Sequence, residues 1–347
     1  NQRLEYDLCG DNIPPQLIRF IMKVQRKIRR ILGPLNFERD IAPLCRFGNG
    51  ATADLRRGST YADKMCSNPT VTVGCIPYAC KVLAHDKYWN VSLADLTIVE
   101  ANRMTTVPKS AKIDRMIACE PTLNGFIQQG VGRYLKHRLK RAGIDLKDQT
   151  INQELAFAAL VDGLATIDLS SASDTMSHAI VRLLLPPDWV DLLEALRCPK
   201  SIYKGKQYVN SKFSSMGNAF TFELESLIFY ALASVAVELN DDDSRKVSVF
   251  GDDIIVPASS YDVVTRALRW AGFMINAEKS YTTPSRFYES CGKHYFDLEE
   301  VTPCYQKEVC KRPEEYIRLY NRLMRCALRT RLLTEFRPAL NIVIERF

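Results

Sequence analysis

Between residues 15 and 32, Leu17, Phe20, Ile21, Val24, Ile28 and Ile31 recur every three or four positions. That period predicts an α-helix with one apolar face. The other face carries Arg19, Lys23, Arg26, Lys27, Arg29 and Arg30, so it is either solvated or meets RNA or a partner protein. Residues 45–75, rich in Gly, Ser, Thr and Arg, predict loops with short strands, and residues 123–141 predict a second helix. Leu164-Ala-Thr-Ile-Asp168 reads as a short buried strand. A helix is predicted from about Thr175 to Leu184, ended by Pro186-Pro187. The polar loop Ser214 to Asn218 precedes a strong helix with Leu224, Leu227, Ile228, Ala231, Leu232 and Val235 apolar. A hairpin over 247–256, an amphipathic helix over 261–272 and short strands within 273–296 follow. The last helix spans 314–333 and carries Arg318, Arg322, Arg325, Arg329 and Arg331. Helices and antiparallel strands without regular βαβ alternation predict an α+β fold.

Composition narrows this picture modestly. With 347 residues, 46% hydrophobic and 25% charged, the chain can bury a sizeable core in one large or two to three smaller regions. A net charge of +7 is compatible with a polyanionic partner without requiring one. Eleven cysteines, an odd number with no Cys-x-x-Cys, point to reduced thiols in a cytosolic protein. Four histidines without paired spacing argue against a zinc site. The first twenty residues do not read as a signal peptide, and the apolar stretch Leu227 to Leu239 is too short for a membrane span. The chain lacks an initiator Met, so a processed, truncated or fragmentary chain is expected.

The chemistry centres on Gly251-Asp252-Asp253, set between Val247-Ser248-Val249-Phe250 and Ile254-Ile255-Val256-Pro257. Two adjacent carboxylates on an apolar hairpin are costly unless a cation meets them. Asp-Asp also favours ordinary turns, so the pair does not decide the matter alone. Asp168 ends an apolar strand, with Asp174 six residues on. If that strand lies beside the hairpin, Asp168 and Asp252 face one space. Two divalent cations there would suit an in-line phosphoryl displacement.

Five blocks then carry a resemblance. Asp168-Leu-Ser-Ser-Ala-Ser-Asp174, Ser214-Ser-Met-Gly-Asn-Ala-Phe-Thr-Phe-Glu-Leu-Glu-Ser226 and Phe250-Gly-Asp-Asp253 occur in the order of motifs A, B and C of the palm of viral RNA-dependent RNA polymerases. Asn102-Arg-Met-Thr-Thr-Val-Pro-Lys-Ser-Ala-Lys-Ile-Asp-Arg115 is similar to the basic fingers motif, and Phe287-Tyr-Glu-Ser-Cys-Gly-Lys-His-Tyr295 to the hairpin after the palm. The wording most resembles the replicase catalytic subunit of RNA bacteriophages, the Q-beta-like leviviruses. The match runs from roughly residue 45 to 300.

The resemblance implies a right-hand polymerase with an antiparallel palm sheet flanked by helices. Residues 1–160 would be mainly fingers, 161–285 palm with an interleaved finger segment, and 286–347 the palm–thumb hairpin and part of a thumb. Asp168, Asp252 and Asp253 would hold two Mg²⁺ ions, with Mn²⁺ an alternative. Asp174 and Asn218 would read the ribose 2′-hydroxyl, and Asp174 is also a candidate N-cap of the following helix, the two roles being compatible. Ser215 and Gly217 would line the nucleotide site, Gly217 allowing close backbone approach. Arg103, Lys109, Lys112 and Arg115 would bind the triphosphate. Lys279 would act as a general acid if its pKa were lowered. RNA template and product, ribonucleoside triphosphates, the host elongation factors Tu and Ts and a ribosomal protein are the partners implied, in the cytoplasm of a bacterial host. The family's chains are longer; only 94 residues follow Asp253 here, so the thumb is expected to be reduced or missing. A reverse transcriptase and a non-catalytic RNA-binding protein on the same scaffold are the rivals.

Overall fold

In the computed structural model, residues 13–55, 58–85, 89, 91, 93–109, 113–306 and 309–346 are described. The helix Thr221–Leu239 is the hub. Its sequence is apolar almost all round, and 15 of its 19 residues are buried, the signature of a helix enclosed on every side. The amino-terminal helix Pro15–Leu32, the helix Thr122–Arg141 and the helix Tyr261–Trp270 pack around it. Pro15–Leu32 places Phe20, Ile21, Val24, Ile28, Ile31 and Leu32 in the core, the stripe its periodicity predicts.

Against this hub lies a three-stranded antiparallel sheet in the order Leu164–Ile167, Asp253–Pro257, Ser248–Phe250. Side chains alternate across a strand. Ile254 and Val256 therefore join the main core, whereas Ile255 joins a smaller cluster with Ala156, Ala159, Leu164, Tyr288 and Tyr295. That cluster seats the helix Thr150–Asp162 on the other face. The expected α+β arrangement, an antiparallel sheet flanked by helices, is what forms.

A second, four-stranded sheet runs Asp114–Cys119, Ala101–Pro108, Lys200–Tyr203, Lys206–Val209. Its first two strands make a long hairpin, and the third adds in parallel to Ala101–Pro108. A third sheet joins Phe287–Ser290, Lys293–Phe296 and Glu299–Glu300. The helices Pro313–Thr330 and Leu333–Glu345 pair with each other and bury only Cys326, Ala327, Leu340 and Val343.

Several elements depart from the expected pattern. The helix expected from Thr175 divides into a single turn, Ala172–Thr175, and a helix, His178–Leu184. The Ser177 hydroxyl accepts from the Ile180 N–H and caps the second piece, so Asp174 is not its N-cap. Within the supposed loops of 45–75 lies the helix Tyr61–Cys66, started by a capping box of Thr60 and Asp63. The helix Thr150–Asp162 was not expected. Its inward stripe is Asn152, Ala156 and Ala159, too small and too polar to stand out as an apolar face. No helix among the described residues is long and apolar enough to cross a membrane.

Candidate active site

Strand register assembles the acidic cluster. Ile254 pairs with Ile167, so Asp253 and Asp168 are the next residues outward on neighbouring strands. Asp253 also pairs with Phe250, leaving Gly251 and Asp252 as the two-residue turn. Gly251 has φ 61°, and a Cβ there would lie 2.4 Å from the Phe222 ring. Its N–H donates to Ser226 Oγ at 3.0 Å. Phe222 and Ser226, one turn apart on the hub helix, therefore clamp the turn that carries Asp252.

The three carboxylates have different surroundings. Asp168 Oδ2 accepts from Asn276 Nδ2 at 2.7 Å. Burial pushes the Asp168 carboxyl above the usual range, the Asn276 hydrogen bond pulls it back, and Asp252 pushes it up again. Asp253 Oδ1 accepts from the Cys291 N–H at 3.0 Å and from the Ser290 hydroxyl at 3.2 Å. Burial pushes Asp253 up to about 6 against the Cys291 hydrogen bond, with Asp252 and Asp168 adding to the rise. The Asp252 carboxylate has no hydrogen bond or ion pair among the described residues.

A fourth carboxylate belongs to the group. Glu225 is 6% exposed, and its Oε2 has no hydrogen-bond partner. Burial, then Asp252, Glu223 and Asp174, push it up to about 8. Glu225 lies inside the second palm motif, where the resemblance assigns it no role. The available signal was an acid inside a helix that is apolar on every side.

Asp174, Ser215 and Asn218 come together as expected, lining one cavity of about 210 Å³ with Glu120 and Arg197. Asn218 Oδ1 accepts from the Phe220 N–H at 3.1 Å, and its amide nitrogen has no hydrogen bond among the described residues. Gly217 has φ 107°, and a Cβ there would lie 2.2 Å from the Ala118 carbonyl oxygen. The Ala118 N–H also donates to Met216 O at 2.8 Å. The close approach that Gly217 permits within the fold is to the basic hairpin.

On that hairpin, Arg103, Thr105, Val107 and Lys109 alternate onto one face. Arg115 sits across from Val107 and shares the face. Arg103 donates to the carbonyls of Thr52 and Ala53 at 3.1 and 3.2 Å. No carboxylate pairs with Arg103, Lys109 or Arg115 among the described residues, and Lys112 lies outside them.

Lys279 stands close to the acidic cluster, because Ser280 Oγ accepts from the Asp168 N–H at 3.1 Å and Tyr281 bridges to Thr166. Its Nζ donates to Glu289 Oε1 at 2.8 Å. Burial works to lower its pKa. The Glu289 hydrogen bond and charge, with Asp168 and Asp253, outweigh burial and raise it. The lowered pKa that a general-acid role was to rest on is therefore reversed. On Pro313–Thr330, Arg322 donates to Tyr305 O, and Arg329 pairs with Glu300 at 3.1 Å, so both hold the preceding segment.

The residues fit a hard divalent cation. The second oxygens of Asp168 and Asp253, both oxygens of Asp252 and the orphaned Glu225 Oε2 are acceptors without donors among the described residues. They form no closed cage: no three acidic, histidine or cysteine side chains converge on one metal position among the described residues. An open carboxylate set is what Mg²⁺ uses when phosphate oxygens and water complete its shell.

The chain is similar to known proteins. The chain is 40% identical over 312 residues to the RNA-directed RNA polymerase subunit beta of Escherichia virus Qbeta, covering 88% of this chain and 52% of that one. It is 40% identical over 316 residues to the corresponding subunit of Enterobacteria phage SP, covering 88% and 54%. To the RNA-directed RNA polymerase beta chain of Escherichia phage MS2 it is 38% identical over 297 residues, covering 82% and 54%. The chain thus spans about half the length of these relatives. Among solved structures, the RNA-dependent RNA polymerase of a human picorbirnavirus matches with TM-score 0.47 and 16% identity over 64% of this chain and 52% of that one. The family model described as RNA replicase, beta-chain, matches residues 5–332, and the chain belongs to that family.

Proposed function

We propose that this chain carries the catalytic centre of an RNA-directed RNA polymerase that copies a positive-strand RNA phage genome. The observation that carries the reading is the register that brings Asp168 beside Asp252-Asp253 on one antiparallel sheet, with acceptor oxygens left open. The relatives' names give the reaction class.

Asp168 and Asp252, with Asp253 beside them and Glu225 behind, would hold two Mg²⁺ ions. Bound there, they would make the RNA 3′-hydroxyl a better nucleophile and neutralise charge on the departing pyrophosphate. Asn276, Ser290 and the Cys291 N–H keep Asp168 and Asp253 oriented. Asp174 and Asn218, which line one cavity with Ser215, would accept from and donate to the 2′-hydroxyl. Arg103, Lys109 and Arg115, and Lys112 by the resemblance alone, would meet the triphosphate. Gly217 would serve by locking the Asn218 loop to that hairpin. Lys279 would act through its charge near the pyrophosphate, tethered to Glu289.

In this reading residues 1–160 are mainly fingers and 161–285 palm. The segment 200–209 pairs with the basic hairpin and returns to the fingers. Residues 286–347 would contribute the palm–thumb hairpin and part of a thumb. RNA and ribonucleoside triphosphates are the substrates, in the cytoplasm of a bacterial host. Elongation factors Tu and Ts and a ribosomal protein would be the host subunits, in keeping with the relatives' designation as a beta subunit.

The test is extension of a primed RNA template with Mg²⁺ and labelled ribonucleotides, comparing wild type with Asp252→Ala. Extension by the wild type alone is expected. Equal RNA binding by both with extension by neither would overturn the enzyme reading. Preference for deoxynucleotides would overturn the ribose assignment and favour a reverse transcriptase.

A further inference from the structure

The basic face of Pro15–Leu32 takes no part in the site above. In the fold it becomes one wall of a groove of about 640 Å³. Lys23, Arg26, Lys27 and Arg30 line it from that helix, and Arg138 and Arg141 from the carboxyl end of Thr122–Arg141. Tyr230, Val235, Ile31 and Ala142 give it an apolar floor. Its single acid, Glu238, is already paired with Lys27 at 2.7 Å, and Lys27 also lies 5.3 Å from the centre of the Tyr230 ring. Arg138 is engaged as well, donating to the Ile31 and Arg30 carbonyls at the end of the amino-terminal helix.

The remaining cations are uncompensated. The side chains of Lys23, Arg26, Arg30 and Arg141 have no hydrogen bond or ion pair among the described residues. Four unpaired cations around one concavity repel each other unless an anion is held there. Lys23, Arg26 and Arg30 follow one row of the helix, about 10 Å from end to end, the axial span of about three phosphates of one strand. Guanidinium forks match phosphate oxygens, and the aromatic and aliphatic floor suits a ribose or base face. Glu238 is about 20 Å along the hub helix from Glu225, so this groove is separate from the acidic cluster.

We infer that the groove between the amino-terminal helix and the end of Thr122–Arg141 is a second RNA site, which grips the phosphate backbone of a single strand away from the acidic cluster. The inference extends the polymerase reading and supposes that RNA is the substrate. The site supplies affinity without base specificity, and it anchors a template whose working end lies at the carboxylates.

The test uses a labelled oligouridylate long enough to span both sites, bound at several KCl concentrations and followed by anisotropy. All proteins carry Asp252→Asn, so that no chemistry intervenes. The triple variant Lys23→Gln, Arg26→Gln, Arg30→Gln should bind about tenfold more weakly and lower the slope of log affinity against log salt by about 2, near 0.7 per cation lost. The charge-retaining triple Lys23→Arg, Arg26→Lys, Arg30→Lys should keep the slope, which excludes misfolding as the cause. Lys147→Gln, Lys246→Gln, Arg266→Gln removes the same charge elsewhere and should leave the slope nearly unchanged. Equal losses in the two neutralised triples would overturn the site. So would displacement of the RNA by polyglutamate more readily than by unlabelled oligouridylate of equal charge, which would make the partner an acidic protein. Extension of a short primed template by the groove variant without Asp252→Asn should match wild type. That readout reports on the polymerase reading, and either result can fail alone.

Discussion

The acidic turn and the basic hairpin are both β-hairpins that carry charge, and they treat it in opposite ways. At the acidic turn the strands are short and buried, and each carboxylate is held by backbone register or by a neighbour such as Asn276 or Cys291. Burial raises Asp168 and Asp253 above the ordinary range, so the fold holds charge it would favour losing. On the basic hairpin Arg103, Lys109 and Arg115 lie exposed on one face, and Lys109 and Arg115 have no side-chain partner among the described residues. The carboxylates are therefore preorganised at a cost in stability. Lys109 and Arg115 cost the fold little and are fixed only when an anion arrives, whereas Arg103 is already held by the Thr52 and Ala53 carbonyls. Sites that bind a cation tightly are expected to be rigid and internally frustrated, whereas sites that collect a mobile triphosphate can remain open.

The largest effect expected from breaking this contrast is at Asp168. Asp168→Asn keeps the shape and the acceptor for Asn276, yet should lower nucleotide incorporation about 10³-fold, as measured by single-turnover primer extension. Residual activity near wild type would mean that the strand end is structural. On the basic side, Lys109→Gln with Arg115→Gln should raise the nucleotide KM about tenfold with little change in maximal rate or in Tm. A fall in Tm would show that those cations hold the fold after all.

The effect on stability carries the sharpest sign. Asp253 has an ordinary value of 3.8 and about 6 in the fold, so the folded chain keeps its proton longer than the unfolded chain. Its contribution to stability is therefore present below 3.8 and is lost as pH rises from 3.8 to about 6. Asp253→Asn retains the acceptor for Ser290 and Cys291 and removes the buried charge. In metal-free buffer at neutral pH it should stabilise the chain by about 1–3 kcal/mol while lowering extension less than Asp168→Asn does. Destabilisation by chemical denaturation would contradict the frustrated-charge account.

Local patterns made parts of this legible from the chain alone. The helix Pro15–Leu32 announces itself by its 3.6-residue period and the hairpin around Gly251 by its apolar arms, and Gly-Asp-Asp marks the turn. The pairing of residues 164–167 with 253–257 joins segments far apart in sequence, and no local period encodes it. Glu225 stayed hidden because the helix around it is apolar on every side, so no polar stripe drew attention to it. The Thr150–Asp162 helix was lost because alanines and an asparagine line its inward face. The basic face of the amino-terminal helix was visible. Its conversion into a groove depends on Arg138, Arg141 and Tyr230, which arrive from two other helices.

The central claim is that the acidic cluster is a cation site prepared by the fold. Thermal unfolding across a Mg²⁺ titration tests it directly, with wild type and the double variant Asp168→Asn, Asp252→Asn melted side by side at neutral pH. The account predicts that Tm of the wild type climbs with Mg²⁺, because an ion bound only by the folded chain stabilises it, and that Tm of the variant stays flat. An equal rise in both, or none in the wild type, would contradict it.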